Sequence, residues 1–208
     1  MSFTSNARQT GAPRLARRAL SFCAASLLVA ASAACSDNNP FLSPATRDNT
    51  VSTFSVWAIS GTNPVLPAGI LFSNLTVERP QVLANGSVNF EVAFDITGDG
   101  KVAFLPARKL VPQAPAGAPV VGLTKSTSAF AALTRAPDRG YTDDSTVVAG
   151  VNEVVLVRLA SAGCIYGEPY YAKAVVDSII IAERRIVLRT LVNRNCGYRA
   201  LTEGLPST

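Results

Sequence analysis

Apolar and polar residues alternate one by one through much of this chain beyond position 50. In "VNFEVAFDIT" (88–97), Val88, Phe90, Val92, Phe94 and Ile96 fall on one side. Asn89, Glu91, Ala93, Asp95 and Thr97 fall on the other. A period of two is what a strand with one buried face requires. The same pattern predicts strands over 53–59, 70–78, 101–105, 120–123, 151–160, 170–181 and 185–193, with Gly, Pro, Asn and Asp in the intervals. One segment departs from it. In "STSAFAALTRA" (126–136), Phe130 and Leu133 are spaced for one side of a helix, which Pro137 ends. The stretch "LPARKLVPQAPAGAPVVG" (105–122) contains Pro106, Pro112, Pro115 and Pro119 and reads as an extended connection between sheets.

The last two runs permit a register. If 182–184 form the turn, Ile181 faces Arg185, Ile179 faces Val187, Asp177 faces Arg189 and Val175 faces Leu191. Opposite charges then meet, and apolar residues meet. Cys164 precedes the first run and Cys196 follows the second, so a disulfide between them would close the open end of the hairpin. Neither belongs to a C-x-x-C pair, which makes the bond structural rather than catalytic. Many short strands, at most one short helix and proline-rich connections predict an all-β fold, an antiparallel β-sandwich or barrel, as a single domain over 51–208.

The formal net charge of the 208 residues is +5, but its position removes most of its meaning. Arg8, Arg14, Arg17 and Arg18 lie in the first 34 residues, which hold no acid. Of 19 Lys/Arg and 14 Asp/Glu, 15 and 14 remain beyond them, a balance of +1. A nearly neutral body does not seek nucleic acid through its overall field. The basic stretch "ARQTGAPRLARR" is followed by "ALSFCAASLLVAASAA", too short and too rich in Ala and Ser for a permanent transmembrane helix. Basic flank, short apolar core and small residues at the end describe a secretory signal over 1–34.

The end of that leader, "ASAACSDNN", places Ser32-Ala33-Ala34 directly before Cys35. This resembles the lipobox of bacterial lipoproteins. In that family the signal is cut before the cysteine, which carries the lipid and becomes the first residue. The resemblance covers the leader alone, and Ser32 stands where Leu is usual. The competing cleavage follows Ala33, at an A-x-A site. Cysteine parity favours the lipoprotein. Cys23 leaves with the leader, Cys164 and Cys196 pair in an oxidising compartment, and lipidation gives the odd Cys35 a role. The polar stretch after it, with two prolines, reads as a tether over 35–50.

The chain contains no histidine. Ser-His-Asp and Cys-His nucleophile systems and histidine-ligated metal sites are therefore excluded. No phosphate-cradling glycine loop is present either. Paired carboxylates remain as a route to glycoside hydrolysis, with Glu91, Asp95, Asp143, Asp144, Glu153, Glu168 and Asp177 as candidates. Strand parity puts Glu91, Asp95 and Glu153 on solvent faces and sets Lys173 and Ser178 on opposite faces. In "FDITGDGKVAFLP" (94–106), Asp95, Thr97, Asp99 and Gly100 look like the opening of a calcium loop, with Asp95 and Asp99 as the candidate ligands. The twelfth residue from Asp95 is Pro106, which offers no side-chain oxygen, and both flanks have strand periodicity. An Asp99-Gly100 hairpin is the better reading, and neither a metal nor a cofactor is expected. All five tyrosines lie in the second half, and Tyr166, Tyr170, Tyr171 and Tyr198 form a candidate ligand surface near the disulfide.

These observations lead to an expected function. The protein is read as a secreted envelope protein, anchored to the membrane through lipid on Cys35, acting as a non-catalytic binding or structural module for a glycan or protein ligand. The alternatives are a carboxylate-dependent glycan hydrolase of the envelope, and a soluble secreted form.

Overall fold

The architecture grows outward from one long hairpin, β10 (Tyr170–Ile180) and β11 (Arg185–Asn193). In the computed structural model, residues 42–206 are described, apart from 112, 114–117 and 161–162. The leader 1–34 and Cys35 lie outside the described residues. Strand β1 (Val51–Trp57) pairs with the free edge of β11, and β9 (Val154–Leu159) pairs with that of β10. Strands β6 (Val121–Ser126) and β7 (Thr142–Asp143) complete a six-stranded sheet in the order β1-β11-β10-β9-β6-β7. The remaining strands are β2 (Gly69–Leu71), β3 (Thr76–Glu78), β4 (Val92–Ile96), β5 (Val102–Pro106) and β8 (Val147–Ala149). They form a five-stranded sheet in the order β3-β2-β4-β5-β8. Every pairing is antiparallel.

The two sheets share one core, which makes the fold sandwich-like. Val56, Leu123, Val155, Val157, Ala174, Val176, Ile186 and Leu188 of the large sheet pack with Ile70, Val92, Phe94 and Phe104 of the small one. Phe94 and Phe104 meet edge to face at 5.1 Å. The sheets are also clamped at the hairpin tip. Arg184, in the left-handed region at φ 48°, donates from Nε to Ser60 O at 2.6 Å and from Nη2 to Asp95 Oδ1 at 3.0 Å.

The large sheet is apolar on its outer face too. Val154, Leu156, Tyr171, Val175 and Leu191 point away from the small sheet and are buried by Phe130, Leu133, Ala136, Tyr141 and Leu201. Segment 127–140 is therefore a cover. Its backbone is laced to the C-terminal segment by Ala136 N to Arg199 O at 2.8 Å and Leu201 N to Thr134 O at 2.7 Å. Lys173 rises from β10 into this layer with 4 % of its surface exposed. Its Nζ donates to Phe130 O at 2.7 Å and Leu133 O at 2.8 Å and lies 4.4 Å from the Phe130 ring centre. Burial holds the ammonium below the usual lysine range, with Glu203 acting the other way.

That cover corrects the helix expected over 126–136. Ser126 ends β6, and the following residues form turns. A helix would use the carbonyls of Phe130 and Leu133 internally, whereas here Lys173 takes both. Among the described residues the one α-helix is the single turn Ala107–Leu110, at the start of the stretch expected to be extended throughout. It is too short to leave a periodic signature.

Three other expectations change. Residues 70–78 form two strands, because the chain reverses between them and Leu75 takes φ 59°. Strand β4 begins at Val92, since Phe90 packs with Ala93 and Ala107 on the outer side of the small sheet. In the long hairpin, a 3-10 turn Ile181–Glu183 brings Ile180 opposite Arg185, and a bulge follows between Val176 and Ser178. Arg189 therefore faces Val175, Leu191 faces Lys173, and Ile179 faces Ile186. The expected charge pair still forms on the diagonal, with Arg189 Nη2 3.0 Å from Asp177 Oδ1.

The ends of the body are tied by asparagines. Asn195 Oδ1 accepts from Thr46 N and Arg47 N, and Asn49 Nδ2 donates to Ala200 O and Thr202 O. Residues 46–50 thus belong to the folded body rather than to a tether. The Cys164–Cys196 disulfide spans 32 positions around the same end. By loop entropy such a link is worth about 3–4 kcal/mol.

Replacing Lys173 by Met keeps the stem but leaves two buried carbonyls unpartnered. Lys173→Met should lower the unfolding free energy by about 2 kcal/mol in urea titrations, and an unchanged midpoint would show that the pin is dispensable.

Candidate functional site

The acidic residues have assignable structural duties. Asp143 receives Arg158 Nη2 on both oxygens, at 2.8 and 3.1 Å. Asp144 Oδ1 accepts from Val121 N at 3.3 Å, and Glu153 binds Lys125 Nζ at 2.7 Å and Gly150 N at 2.6 Å. Glu168 accepts from Tyr166 N at 3.2 Å. Asp95 holds Arg184 and also accepts from the Ser60 hydroxyl. It is half-buried, not on a solvent face.

Glu91 also departs from the expected solvent face, because β4 starts after it. It is buried and accepts from Ser73 N at 3.0 Å, helping to hold the turn between β2 and β3. Burial pushes its carboxyl above the usual glutamate range, against the opposing hydrogen bonds from Ser73 and Phe72.

Lys173 and Ser178 share a face, since the bulge before Ser178 reverses the parity expected from their numbers. Five residues at about 3.3 Å each still separate them by roughly 16 Å along the strand, too far for a dyad.

The 97–101 turn is a closed hairpin connection. Thr97 N donates to Lys101 O and Gly100 N to Thr97 O, both at 2.9 Å, while Gly100 takes φ 76°. Asp99 accepts from the Thr97 hydroxyl at 2.6 Å and pairs with Lys101 Nζ at 2.9 Å. Asp95 and Asp99 are thus engaged by different partners. Among the described residues no group of three or more Cys, Asp or Glu is arranged to hold a metal ion.

The tyrosines are dispersed. Tyr171 is buried in the outer layer beside Tyr141, with ring centres 6.2 Å apart, and Arg158 lies 5.3 Å over the Tyr141 ring. Tyr170 packs towards the main core, and Tyr198 is buried. Tyr166 is exposed (78 %), with Ile165 exposed beside it. Only this one of the four belongs to an open surface, so the structure does not assemble them into a shared ligand face.

The apolar concavity lies elsewhere, on the outer side of the small sheet. Phe90, 2 % exposed, and Ala68 help line a cleft of about 280 Å³. One wall is the loop after β1, with Ile59, Thr62, Asn63, Pro64 and Leu66. The others are Pro80, Gln81 and Val82 beyond β3, and Leu110 and Val111 at the short helix. The first loop is braced locally, with the Thr62 hydroxyl donating to Ala58 O at 2.5 Å and Leu66 N to Asn63 O at 3.0 Å. Ile59 and Val82 remain exposed at the rim. Among the described residues that line it none is ionisable, and they offer apolar contact and a few neutral hydrogen-bonding groups. Sequence reasoning missed it because its residues come from three separated segments. Phe90 gave no signal of its own, because it fits the unbroken alternation of 88–97.

Compared with family models, curated proteins and solved structures, the chain matches none. Among the described residues no helix is long and apolar enough to cross a membrane.

The raised Glu91 carboxyl has a stability consequence of definite sign. Its contribution is fully present below the ordinary glutamate pKa and is lost as pH rises through the raised folded value. Urea midpoints measured between acid and neutral pH should fall with pH more in the wild type than in Glu91→Gln. Parallel curves would contradict this role.

Proposed function

We propose that the protein is a non-catalytic binding module, held at the cell envelope by lipid on Cys35, that receives an apolar part of its ligand in the Phe90 cleft. The observation that carries this reading is the cleft itself: apolar, open at the rim and, among the described residues, lined by no ionisable group. An acid–base or nucleophilic mechanism has no residue there to run it. The carboxylates that a glycan hydrolase would need are each engaged by a local partner, including Asp143 by Arg158 and Asp177 by Arg189. The ligand is a protein side chain or the apolar face of a glycan.

The envelope address rests on the leader and on cysteine use. A basic flank, a short apolar run and Ala33-Ala34-Cys35 support export followed by lipidation. The Cys164–Cys196 bond suits an oxidising compartment. The chain between Cys35 and the residues docked by Asn195 then acts as a short tether.

Two measurements test the proposal. Intact mass of the mature protein from its native host should show a lipid-modified Cys35 as the first residue. An unmodified Cys35 preceded by Ala34 would overturn the anchor. For the cleft, an environment-sensitive apolar dye should bind the wild type and bind Val82→Asp at least tenfold more weakly, since a carboxylate at the rim opposes apolar contact. Equal dye binding by both proteins, or cleavage of any polysaccharide in a hydrolysis screen, would overturn the binding-module reading.

A further inference from the structure

The two most exposed large apolar side chains among the described residues are neighbours in sequence, Ile165 at 84 % and Tyr166 at 78 %. They sit on a short loop with a fixed base. Cys164, just before them, is bonded to Cys196, and Gly167 N, just after, donates to Cys164 O at 3.1 Å. Tyr166 N donates to Glu168 Oε2 at 3.2 Å. The loop thus holds two bulky apolar groups out into solvent, where single exposed apolar residues are common but an adjacent, stapled pair suits a covering surface.

What covers them follows from where the chain enters this end of the body. Leu42 lies against Gly197, beside Cys196. A Cβ at Gly197 would be 2.7 Å from Leu42 Cδ2 and 3.4 Å from Glu168 Cβ. Gly197 N donates to Pro169 O at 3.1 Å, and Asn195 holds Thr46 N and Arg47 N. Leu42 therefore meets the body at the base of the loop that carries Ile165 and Tyr166. Seven residue steps separate Cys35 from Leu42, at most about 25 Å in any conformation. The hairpin tip is at the other end of β11, where Arg185 lies roughly 26 Å from Asn193. A lipid on Cys35 keeps the disulfide end close to the bilayer.

We infer that Ile165 and Tyr166 make a second contact with the membrane, entering the interface of a phospholipid surface beside the anchor. This inference rests on the reading of Cys35 as lipid-modified. Ile165 suits the acyl boundary, and the ring and hydroxyl of Tyr166 suit the headgroup level. Two side chains alone attach weakly, but so short a tether makes their encounter with the surface intramolecular and raises its effective concentration. The contact sets the orientation of the body. Ile59, at the rim of the Phe90 cleft, follows Ala58, whose N–H donates to Arg184 O at the hairpin tip. That part of the cleft is then turned away from the bilayer.

Fluorescence quenching tests the contact, with the chain from Cys35 onward coupled through Cys35 to a maleimide phospholipid in phosphatidylcholine vesicles. With Cys164 and Cys196 paired, Cys35 is the free thiol of that chain. The coupling supplies the anchor whether or not the native host adds lipid, which intact mass decides separately. Trp57, the single tryptophan, faces Arg185 near the hairpin tip and serves as the remote reference. In Tyr166→Trp, brominated acyl chains should quench the added emission about twofold, while the Trp57 emission of the wild type changes little. Adding Ile165→Asp should abolish that quenching, and both positions are exposed enough for the fold to tolerate the changes. Absence of added quenching would overturn the contact. Quenching that survives Ile165→Asp would show proximity without apolar insertion and would overturn it as well. Quenching of Trp57 would overturn the orientation.

Discussion

The large sheet has no solvent face at its centre, and much of the remaining structure follows from that. In β9, Val155 and Val157 enter the main core while Val154 and Leu156 enter the outer layer. In β10, Ala172, Ala174 and Val176 point in while Tyr171 and Val175 point out. A sheet apolar on both sides must be covered on both sides. The small sheet covers one. The other is closed by segment 127–140 and the C-terminal residues, which lack a ladder of their own to fix them. Lys173 supplies the fixation, at the cost of burying an ammonium group. Because two backbone carbonyls and an aromatic ring surround it, the charge is partnered without a carboxylate in direct contact.

Much of this was legible in the sequence, and the failures have physical causes. Period-two alternation located the long hairpin because both strands are continuous and bounded by turn residues. It also carried a false inference for Glu91, since alternation counts residues and cannot see that the chain bends before Val92. The register of the long hairpin slipped because the turn takes a 3-10 form with Arg184 left-handed, and because a bulge adds one residue to β10. The helix expected over 126–136 failed for a tertiary reason, the competition of Lys173 for its carbonyls. The run "VVLV" in β9 was the available clue to a two-sided sheet, for such a run belongs to a strand buried on both faces.

The candidate sites were less legible than the fold. The Phe90 cleft lies where segments distant in sequence converge, and it contains no motif. The residues that attract attention in the sequence are mostly structural. Asp95 secures the hairpin tip through Arg184, Asp99 closes a turn with Thr97 and Lys101, and Tyr171 fills the outer layer. The Phe90 cleft, on the outer side of the small sheet, is apolar.

Native-state hydrogen exchange tests the two-sided sheet most directly. If the cover belongs to the same cooperative unit as the sheet, the amides of Ala136 and Leu201, which bond to Arg199 O and Thr134 O, exchange as slowly as those at the centre of β9, β10 and β11. Fast exchange at Ala136 and Leu201, with the central strands still protected, would show that the outer layer opens independently. That result would contradict the account, because the cover would then be a loose flap and not the second half of the core.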